Sequence, residues 1–419
     1  MTAEIINVGT EILLGNIVNT NARFIANKLK DYGFNSYYQS VVGDNAERLT
    51  ALLKTALKRS DFIFITGGLG PTYDDITKEV VSETLGLPLE LHEESLKHIK
   101  EYFNKIGREF THNNIRQAYM PKGAIVFKNK WGTANALAVE NNGKTIFLLP
   151  GPPREMCPIF EEYIIPILEK KIDGYIVKRS VRIFGMGEAM VESKLYNLLK
   201  NSINPSVAPY AKEGEVLLQV TAKAETKSLA FDMTEKPVKE IKETIGEYVY
   251  GIDVENLEER VVSLLKEKSL KIATAESCTG GLLSKRITDI KGASNVFEYG
   301  AVTYSNEAKI NMLGVSPDTI SSFGAISPET AAQMAEGIRK LSNADIGVSI
   351  SGNAGPDSSE GKPVGLVFIG LSTKDGTKTI ELNINKMGAD RDYIRTIASS
   401  NALDGVRRIV EGLQLPQKI

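Results

Sequence analysis

A serine and a lysine could form a catalytic pair in the last third of this 419-residue chain. Ser277 lies in AESCTGG, where a strand-like run, KIAT, passes into a helix opened by Gly280 and Gly281. Its hydroxyl could therefore lie beside backbone N–H groups that are able to hold an oxyanion. Serine is also a preferred helix cap, for the same hydrogen-bonding reason. Taken alone, Ser277 favours the cap over the nucleophile.

Lys309 changes that balance, because it follows Tyr304 and Ser305 at the start of another predicted helix. The positive end of the helix dipole opposes the charge of a lysine there, so a partly buried amine could lose its proton near neutral pH and act as a base. Serine with lysine is a known variant of the serine and histidine arrangement. Tyr304 could relay or donate a proton. The alternatives are a solvated lysine and a tyrosine that simply ends a strand.

Two arginines and a glycine loop could bind the rest of a substrate. Arg391 and Arg395 are four residues apart, so they share one helix face and could clamp a phosphate. Alternatively, Asp390 and Asp392 could pair with them at the surface. The loop SGNAGP has a backbone that can approach a ligand closely. The candidate substrate-binding residues are Thr279, Gly280, Gly352, Asn353, Ala354, Gly355, Arg391 and Arg395.

A second glycine-rich turn, TGGLGPTYDD, follows the strand-like run DFIFI in the first third of the chain. Its backbone N–H groups could hold a phosphate at the start of the next helix. Asp74 and Asp75 would repel that phosphate unless a cation bridged them, so the combination indicates a divalent metal. Either aspartate could instead cap the helix. The residues alone leave both interpretations open.

These candidate residues need α/β elements to bring them together. Residues 1–171 and 255–419 both alternate short apolar runs with helical patterns, which is typical of parallel sheets with crossover helices. Residues 172–254 have shorter alternating strands and indicate a small mixed α/β domain or linker. In the last third, three predicted strands end in polar or glycine-rich turns. Because α/β sheets bind ligands at such strand ends, we expect one shared cleft.

The composition is that of an ordinary globular protein, with 42% hydrophobic and 24% charged residues. A net charge of −2 gives no overall electrostatic footprint for nucleic acid or an anionic membrane. No run reaches the ~18 apolar residues of a membrane span, and no signal-peptide pattern is found, so we expect a cytoplasmic protein. Cys157 and Cys278 are far apart, which argues against a disulfide framework or a zinc site.

Six motifs of the last third occur together in the order expected for one family. They are AESCTGG, GAVTYSNEAK, GAIS, SGNAGP, KPVG and DRD. This unit resembles the CinA carboxy-terminal domain, and the resemblance implies a hydrolase that converts nicotinamide mononucleotide to nicotinic acid mononucleotide and ammonia, without a cofactor. It also implies Ser277 as nucleophile and Lys309 as base, with Tyr304 and an arginine near DRD in support.

The chain departs from that family pattern in one loop. The usual sequence is SGIAGP followed by two glycines, whereas this chain has Asn353, then Ser358 and Ser359. The change bears on the substrate more than on the chemistry. Cys278 is a rival nucleophile beside Ser277, but adjacent residues of an extended chain point to opposite sides. We therefore expect Cys278 to be a small buried residue.

The first 171 residues carry VGTE, TGGLGPTYDD, WGTANA and PGPPREM in order, and resemble the molybdopterin-binding-like domain at the front of CinA proteins. That resemblance implies hydrolysis of the pyrophosphate of ADP-ribose, with Mg, Mn or Co as the metal. The implied phosphate-binding residues are Gly67, Gly68, Gly70, Thr72 and Asn135, and the implied metal ligands are Asp74, Asp75 and Glu155. The same domain elsewhere binds molybdopterin, so pterin binding without hydrolysis is the alternative.

The middle segment resembles the small KH-like domain of some CinA proteins. KH modules bind nucleic acid through a GXXG loop, which GMGE at Gly185 does not match, so we expect a structural or dimerising role. The predicted fold is two doubly wound α/β domains joined by a KH-like α+β domain, assembled as a homodimer that acts in pyridine nucleotide salvage. A competence or recombination-associated binding protein with degenerate sites is the alternative.

Overall fold

The computed structural model describes residues 1–171, 174–212, 214–384 and 388–419. Within these ranges, three main sheets and one two-stranded ribbon alternate with helices. The chain divides into two compact units, which are Met1–Ile176 with Ala224–Lys227, and Val177–Lys223 with Ser228–Ile419. The predicted mixed α/β class, with parallel strands in the first and last sheets, is confirmed.

The first unit contains eight strands and seven α-helices within the described residues. The strands are β1 (Thr2–Val8), β2 (Asn35–Val42), β3 (Phe62–Thr66), β4 (Leu89–Leu91), β5 (Tyr119–Pro121), β6 (Ile125–Phe127), β7 (Ala136–Asn141) and β8 (Lys144–Leu149). The helices are α1 (Thr10–Leu13), α2 (Thr20–Asp31), α3 (Ala46–Arg59), α4 (Thr77–Leu85), α5 (Glu93–Lys105), α6 (Pro153–Ile159) and α7 (Ile165–Glu169), with a 3₁₀ helix at His112–Ala118 and a π-helical turn at Phe160–Ile164.

The main sheet of this unit has the order β2-β1-β3-β8-β7-β6. Strands β1, β2, β3 and β8 are parallel, and their apolar side chains enter two separate hydrophobic clusters. Phe64 and Phe147 pack in one cluster and Ile63 and Leu148 in the other, because successive strand residues point to opposite faces. Both faces of the sheet are therefore covered, and all five residues of β3 are buried.

One edge of this sheet is antiparallel, which the prediction of a parallel sheet did not include. Strand β7 pairs antiparallel with both β8 and β6. Only Asn142 and Gly143 separate β7 from β8, and both have positive φ angles, of 48° and 75°. Such a two-residue turn joins antiparallel strands, whereas parallel strands need a much longer crossover.

The middle segment forms a four-stranded sheet in the order β10-β11-β9-β12. Its strands are β9 (Tyr175–Phe184), β10 (Ser206–Lys212), β11 (Glu215–Ala224) and β12 (Val249–Ile252), and its helices are α8 (Glu188–Lys194), α9 (Tyr196–Asn201) and α10 (Lys227–Ile245). A 3₁₀ turn at Gly246–Tyr248 follows α10. Strand pairs β10–β11 and β9–β12 are antiparallel, in keeping with the small α+β domain that was predicted.

The last sheet has five strands within the described residues. They are β13 (Ile272–Glu276), β14 (Phe297–Val302), β15 (Ile346–Gly352), β16 (Leu366–Thr373) and β17 (Gly376–Asn383). The helices are α11 (Leu257–Glu267), α12 (Leu282–Thr288), α13 (Asn306–Leu313), α14 (Pro317–Phe323), α15 (Pro328–Ser342) and α16 (Arg391–Glu411), with a 3₁₀ turn at Ala293–Asn295. The sheet order is β14-β13-β15-β16-β17.

Strands β14, β13 and β15 of this sheet are adjacent and parallel, while β16 and β17 are antiparallel. The carboxyl ends of the three parallel strands therefore meet at one edge, where Glu276, Val302 and Gly352 are the last residues. This edge positions the turns that carry the predicted site. Within the described part of the chain, every helix is too short or too polar to span a bilayer.

Candidate functional site

Ser277 lies directly after β13, between the ends of the two neighbouring parallel strands. Its N–H donates to the Ile350 carbonyl of β15 at 2.9 Å. On the other side, the N–H of Thr303, just after β14, donates to the Glu276 carbonyl at 2.9 Å. Ser277 is 9% exposed. The backbone around its hydroxyl is therefore fixed from both sides by strand-like hydrogen bonds.

Lys309 lies in α13 with its amine beside Ser277. Its Nζ is 3.3 Å from Ser277 Oγ and donates to the carbonyls of Thr303 and Tyr304, at 3.0 Å each. The residue is 1% exposed, and among the described residues no carboxylate comes within ion-pair distance of the amine. Burial lowers the pKa of Lys309 below its usual range, an effect that the Glu360 carboxylate opposes in part. The amine is therefore placed, and its pKa shifted, as a general base requires.

The buried carboxylate of Glu276 holds the turn after Ser277, and the sequence analysis did not single it out. It accepts hydrogen bonds from the N–H groups of Gly281, Leu283 and Ser284 at 2.8 to 3.0 Å, and from the Ser284 hydroxyl at 2.6 Å. Helix α12 begins at Leu282, and its N-cap residue, Gly281, supplies no side-chain cap. Glu276 therefore caps this helix. The alternative that Ser277 is the cap is wrong.

Cys278 does not compete as a nucleophile. It is 6% exposed, and burial raises the pKa of its thiol to about 11. Because the thiolate is the reactive form, Cys278 is protonated and unreactive at neutral pH. It matches the expectation of a small buried residue.

A cavity of about 410 Å³ opens at this strand edge. Eight of the predicted residues line it, and they are Ser277, Tyr304, Lys309, Gly352, Asn353, Ala354, Gly355 and Arg391. Arg391 donates to the Gly355 carbonyl at 2.6 Å and to the Tyr304 hydroxyl at 3.3 Å. The structure thus brings the serine, lysine, tyrosine and one arginine around a single space.

Three predicted substrate-binding residues do not line that cavity, namely Thr279, Gly280 and Arg395. The Arg395 guanidinium donates to the Thr279 carbonyl through Nε at 3.2 Å and Nη2 at 2.6 Å. Arg395 therefore stabilises the turn that follows Ser277 from outside the cavity. Of the two arginines predicted to clamp a phosphate, Arg391 lines the cavity and Arg395 is bonded to the Thr279 carbonyl.

Asn353 uses its side chain inside its own loop. Its amide group donates to the carbonyls of Asp357 and Lys362, at 3.1 and 3.2 Å, and its side-chain oxygen accepts from the Gly355 N–H at 2.9 Å. Glu360, which the sequence analysis missed, lines the cavity and accepts from the N–H groups of Ala325 and Ile326. Asn353 thus shapes the cavity wall through the loop that it closes.

A separate cleft of about 540 Å³ lies in the first unit. Seven of the eight predicted residues line it, and they are Gly67, Gly68, Gly70, Thr72, Asp74, Asp75 and Glu155. Asn135 does not. Its side chain is buried, accepts from the Asn129 N–H at 2.8 Å and donates to the Ser95 hydroxyl at 2.7 Å. Asn135 is bonded within the domain and is not presented to this cleft.

Glycine is required at two positions of this turn. Gly67 has a φ of 103°, and a Cβ there would lie 2.0 Å from the Val8 carbonyl oxygen at the end of β1. Gly68 has a φ of 67°, and a Cβ there would lie 2.3 Å from Thr77 Oγ1. The turn therefore passes against its neighbours more closely than any side chain permits. The Gly67 N–H is itself bonded to the Leu149 carbonyl of β8 at 3.0 Å, so Gly67 anchors the turn at the edge of the sheet.

Asp74 and Asp75 do not cap the following helix. The N-cap residue of α4 is Ile76. The Thr72 hydroxyl lies within hydrogen-bond distance of both carboxylates and can donate its one hydrogen to either, and Asp75 also accepts from the Thr72 N–H at 2.9 Å. Arg116, another residue that the sequence analysis missed, donates to the carbonyls of Thr72 and Asp75 at 2.6 and 3.2 Å. The carboxylates are thus held on a braced loop that faces the cleft.

The three predicted metal ligands do not form one cation site. Within the described ranges, no group of three or more His, Cys, Asp or Glu side chains is arranged to hold a metal. Glu155 is buried, which raises its pKa, and it accepts from the Asn129 amide at 2.7 Å. Mg²⁺ often takes only one or two carboxylates, with water and substrate phosphates completing its shell. Asp74 and Asp75 fit that smaller role, whereas a site that includes Glu155 does not fit.

Family models match three successive stretches of the chain. A probable molybdopterin binding domain covers residues 4–170, the damage-inducible protein CinA KH domain covers 178–251, and the CinA C-terminal domain covers 254–410. A CinA-like protein of Kosmotoga olearia is 48% identical over 97% of this chain and 98% of its own length. A CinA-like protein of Dictyoglomus turgidum is 47% identical over 97% of this chain and 99% of its own.

Solved structures also match the chain over part of its length. The protein CinA with unknown function from Thermoplasma acidophilum is 36% identical and covers 40% of this chain and 97% of its own, with a TM-score of 0.38. The competence/damage inducible protein CihA from Agrobacterium tumefaciens is 38% identical and covers 37% of this chain and 93% of its own, with a TM-score of 0.35.

Replacing Glu276 with alanine should destabilise the second unit. The substitution leaves three N–H groups at the start of α12 without their acceptor, at an expected cost of about 2–4 kcal/mol. Urea unfolding followed by circular dichroism measures the change. Glu307→Ala is the matched control, because Glu307 is an exposed acid in the first turn of α13. We expect its effect to stay within about 0.5 kcal/mol. Equal stability of the two variants would contradict the capping role.

Proposed function

The chain belongs to the CinA family, and from that premise we propose that its carboxy-terminal domain hydrolyses the carboxamide of nicotinamide mononucleotide. The products are nicotinic acid mononucleotide and ammonia. The observation that supports this proposal most is the buried amine of Lys309, 3.3 Å from Ser277 Oγ at the wall of a cavity. The geometry supports a serine and lysine hydrolase, and the family resemblance supplies the substrate.

The first half of the proposed reaction forms an acyl-enzyme. Neutral Lys309 accepts the proton of Ser277 as Oγ bonds to the carboxamide carbon. The negative charge that develops on the carbonyl oxygen needs hydrogen-bond donors. The N–H groups of Gly280 to Ser284 are already bonded, so the donors in this turn would be the N–H groups of Cys278 and Thr279. The Lys309 ammonium then gives its proton to the leaving nitrogen. The carbon–nitrogen bond breaks, ammonia departs, and an ester to Ser277 remains.

The second half uses the same base. Lys309 takes a proton from water as the water oxygen attacks the ester carbon. The bond to Oγ breaks, Ser277 regains a proton, and the acid leaves. The carbonyls of Thr303 and Tyr304 hold the amine in place in both halves without adding a negative charge beside it. This arrangement lets Lys309 return to its neutral form after each turnover.

Ser277→Ala and Lys309→Arg should each reduce ammonia release from nicotinamide mononucleotide by about a thousandfold or more, because each removes one half of the catalytic pair. Arginine stays protonated in a protein, so it cannot accept the serine proton as neutral Lys309 does. Ammonia and nicotinic acid mononucleotide are measured together. Cys278→Ala should keep most of the activity. Loss of activity in Cys278→Ala with retention in Ser277→Ala would reverse the assignment of the nucleophile.

The activity should depend on pH through Lys309. Its protonated form cannot accept the serine proton, so kcat/KM should rise with pH and level off above the pKa of Lys309, which burial lowers. A pH profile of kcat/KM from pH 5 to 10 measures this limb. A profile that falls as pH rises through neutrality would contradict a lysine base.

For the front domain we propose hydrolysis of the pyrophosphate of ADP-ribose, with a divalent metal. The supporting observation is a cleft that combines the glycine turn at Gly67 and Gly68 with the carboxylates of Asp74 and Asp75. A bound metal would neutralise phosphate charge in such a cleft. Arg116 would keep the carboxylates in place through its bonds to the loop carbonyls. Molybdopterin-like binding without hydrolysis is the alternative for this domain.

Product analysis separates these two possibilities. The purified protein with ADP-ribose and Mg²⁺, Mn²⁺ or Co²⁺ should yield AMP and ribose 5-phosphate. The double variant Asp74→Asn, Asp75→Asn should lose at least about tenfold of that activity, since the carboxylates bring the metal to the phosphates. Glu83→Gln on the exposed side of α4 is the control and should retain it. Binding of ADP-ribose without product would favour the pterin-type alternative.

A binding protein with degenerate sites remains the alternative from another class. One similar protein of solved structure is named a competence/damage inducible protein. If the purified protein binds nicotinamide mononucleotide but forms neither ammonia nor the acid, the binding alternative replaces the proposed activity of the last domain.

A further inference from the structure

The cavity beside Ser277 is lined by both basic and acidic side chains. Lys309 and Arg391 are basic, and Asp357 and Glu360 are acidic. Both acids belong to the loop that follows β15. Neither was among the residues predicted to bind substrate, and the serine and lysine chemistry uses neither of them.

Glu360 is held in place by the backbone on the other side of the cavity. Its Oε1 accepts from the Ala325 N–H at 3.1 Å, and its Oε2 accepts from the Ile326 N–H at 3.2 Å. The Lys362 amine lies 3.7 Å from Oε2. The Glu360 side chain is still 31% exposed and lines the cavity. It is therefore an ordered carboxylate that a ligand can reach.

Asp357 is placed by Asn353, whose amide donates to the Asp357 carbonyl. In the part of the chain that the structure describes, the Asp357 carboxylate makes no hydrogen bond or ion pair of its own. Ser358 and Ser359, which stand where the family pattern has glycines, line the cavity between the two acids. The loop thus presents two carboxylates and two hydroxyl-bearing residues to whatever occupies the space.

We propose that Glu360, assisted by Asp357, is the specificity-determining residue that selects a positively charged pyridine ring over a neutral one. This inference rests on the proposed carboxamide hydrolysis. A carboxamide carbon that reaches Ser277 carries its ring with it, and covalent geometry places the ring nitrogen only about 4 Å from that carbon. The ring charge therefore lies inside the cavity that Glu360 and Asp357 line, and a carboxylate of the same cavity should favour the cation by roughly tenfold in affinity.

The neutral ring gains nothing from these acids, so free or reduced nicotinamide compounds should bind less well than a ring that is quaternised by its sugar. The negative phosphate of the same nucleotide would lie toward Arg391, the basic residue at the Tyr304 side of the cavity. The charges of the cavity then match a ligand with a cationic ring and an anionic phosphate.

Equilibrium binding in a Ser277→Ala background tests this inference without turnover. The two probes are nicotinamide mononucleotide and its 1,4-dihydro form, which has the same ribose phosphate but an uncharged ring. Calorimetry gives the ratio of their dissociation constants. We expect a preference of roughly tenfold for the cationic ring, which falls at least about threefold in Glu360→Gln and further when Asp357→Asn is added.

Glu307→Gln in the same background is the matched control, since it removes an exposed acid of α13 that does not line the cavity. Its ratio should stay unchanged. An unchanged ratio in the Glu360→Gln, Asp357→Asn variant would overturn the inference, as would an equal fall in the control.

Because the readout is binding, the outcome is separate from the proposed function. If the protein releases no ammonia but these variants lose ring selectivity, the inference stands and the proposed activity does not. Asp357→Asn alone covers the case in which Glu360→Gln disturbs the loop.

Discussion

The amine of Lys309 is buried with only uncharged oxygens within hydrogen-bond distance, and the candidate site depends on how that burial is accommodated. An isolated ammonium group is costly to bury, so the folded state favours the neutral amine. The carbonyls of Thr303 and Tyr304 satisfy its N–H groups without adding a counter-charge, and Ser277 is the remaining neighbour. The same desolvation that costs stability therefore prepares a base beside a hydroxyl.

Charged residues around this pair act mostly on the backbone. Glu276 binds three N–H groups at the start of α12, and Arg395 binds the Thr279 carbonyl, so both fix the turn of Ser277 without entering the cavity. The first unit uses the same device, because Arg116 binds the carbonyls of the loop that carries Asp74 and Asp75. In both units the side chains that face a ligand are supported by other charged side chains behind them. Preorganisation of this kind reduces the rearrangement that binding would otherwise require.

The first unit has a glycine turn beside two carboxylates, and within the described residues it has no group of three metal-binding side chains. Gly67 and Gly68 bring the backbone against β1 and α4, while Glu155 is engaged with Asn129, deeper in the domain. Under the proposed function, a ligand in this cleft would bring its phosphates to the turn and share a cation with Asp74 and Asp75. In the last domain the ligand has to satisfy both the basic and the acidic side of the cavity. Membership of the CinA family covers both units, and the two clefts place different chemical demands on their ligands.

The sequence by itself determined the α/β class and the pairing of Ser277 with Lys309. Both residues follow predicted strands, and parallel strands bring their carboxyl ends to one edge whatever else the chain does. Turn chemistry was also readable in principle: Asn142 and Gly143 specify a hairpin, and thus the antiparallel edge of the first sheet. Only the tertiary structure decided which polar groups bind each other. Arg395 lies 116 residues from the carbonyl that it holds, and Asn135 lies 40 residues from Ser95. Residue type states what a side chain can bind, but the partner is set by which distant atoms the fold brings within about 3 Å.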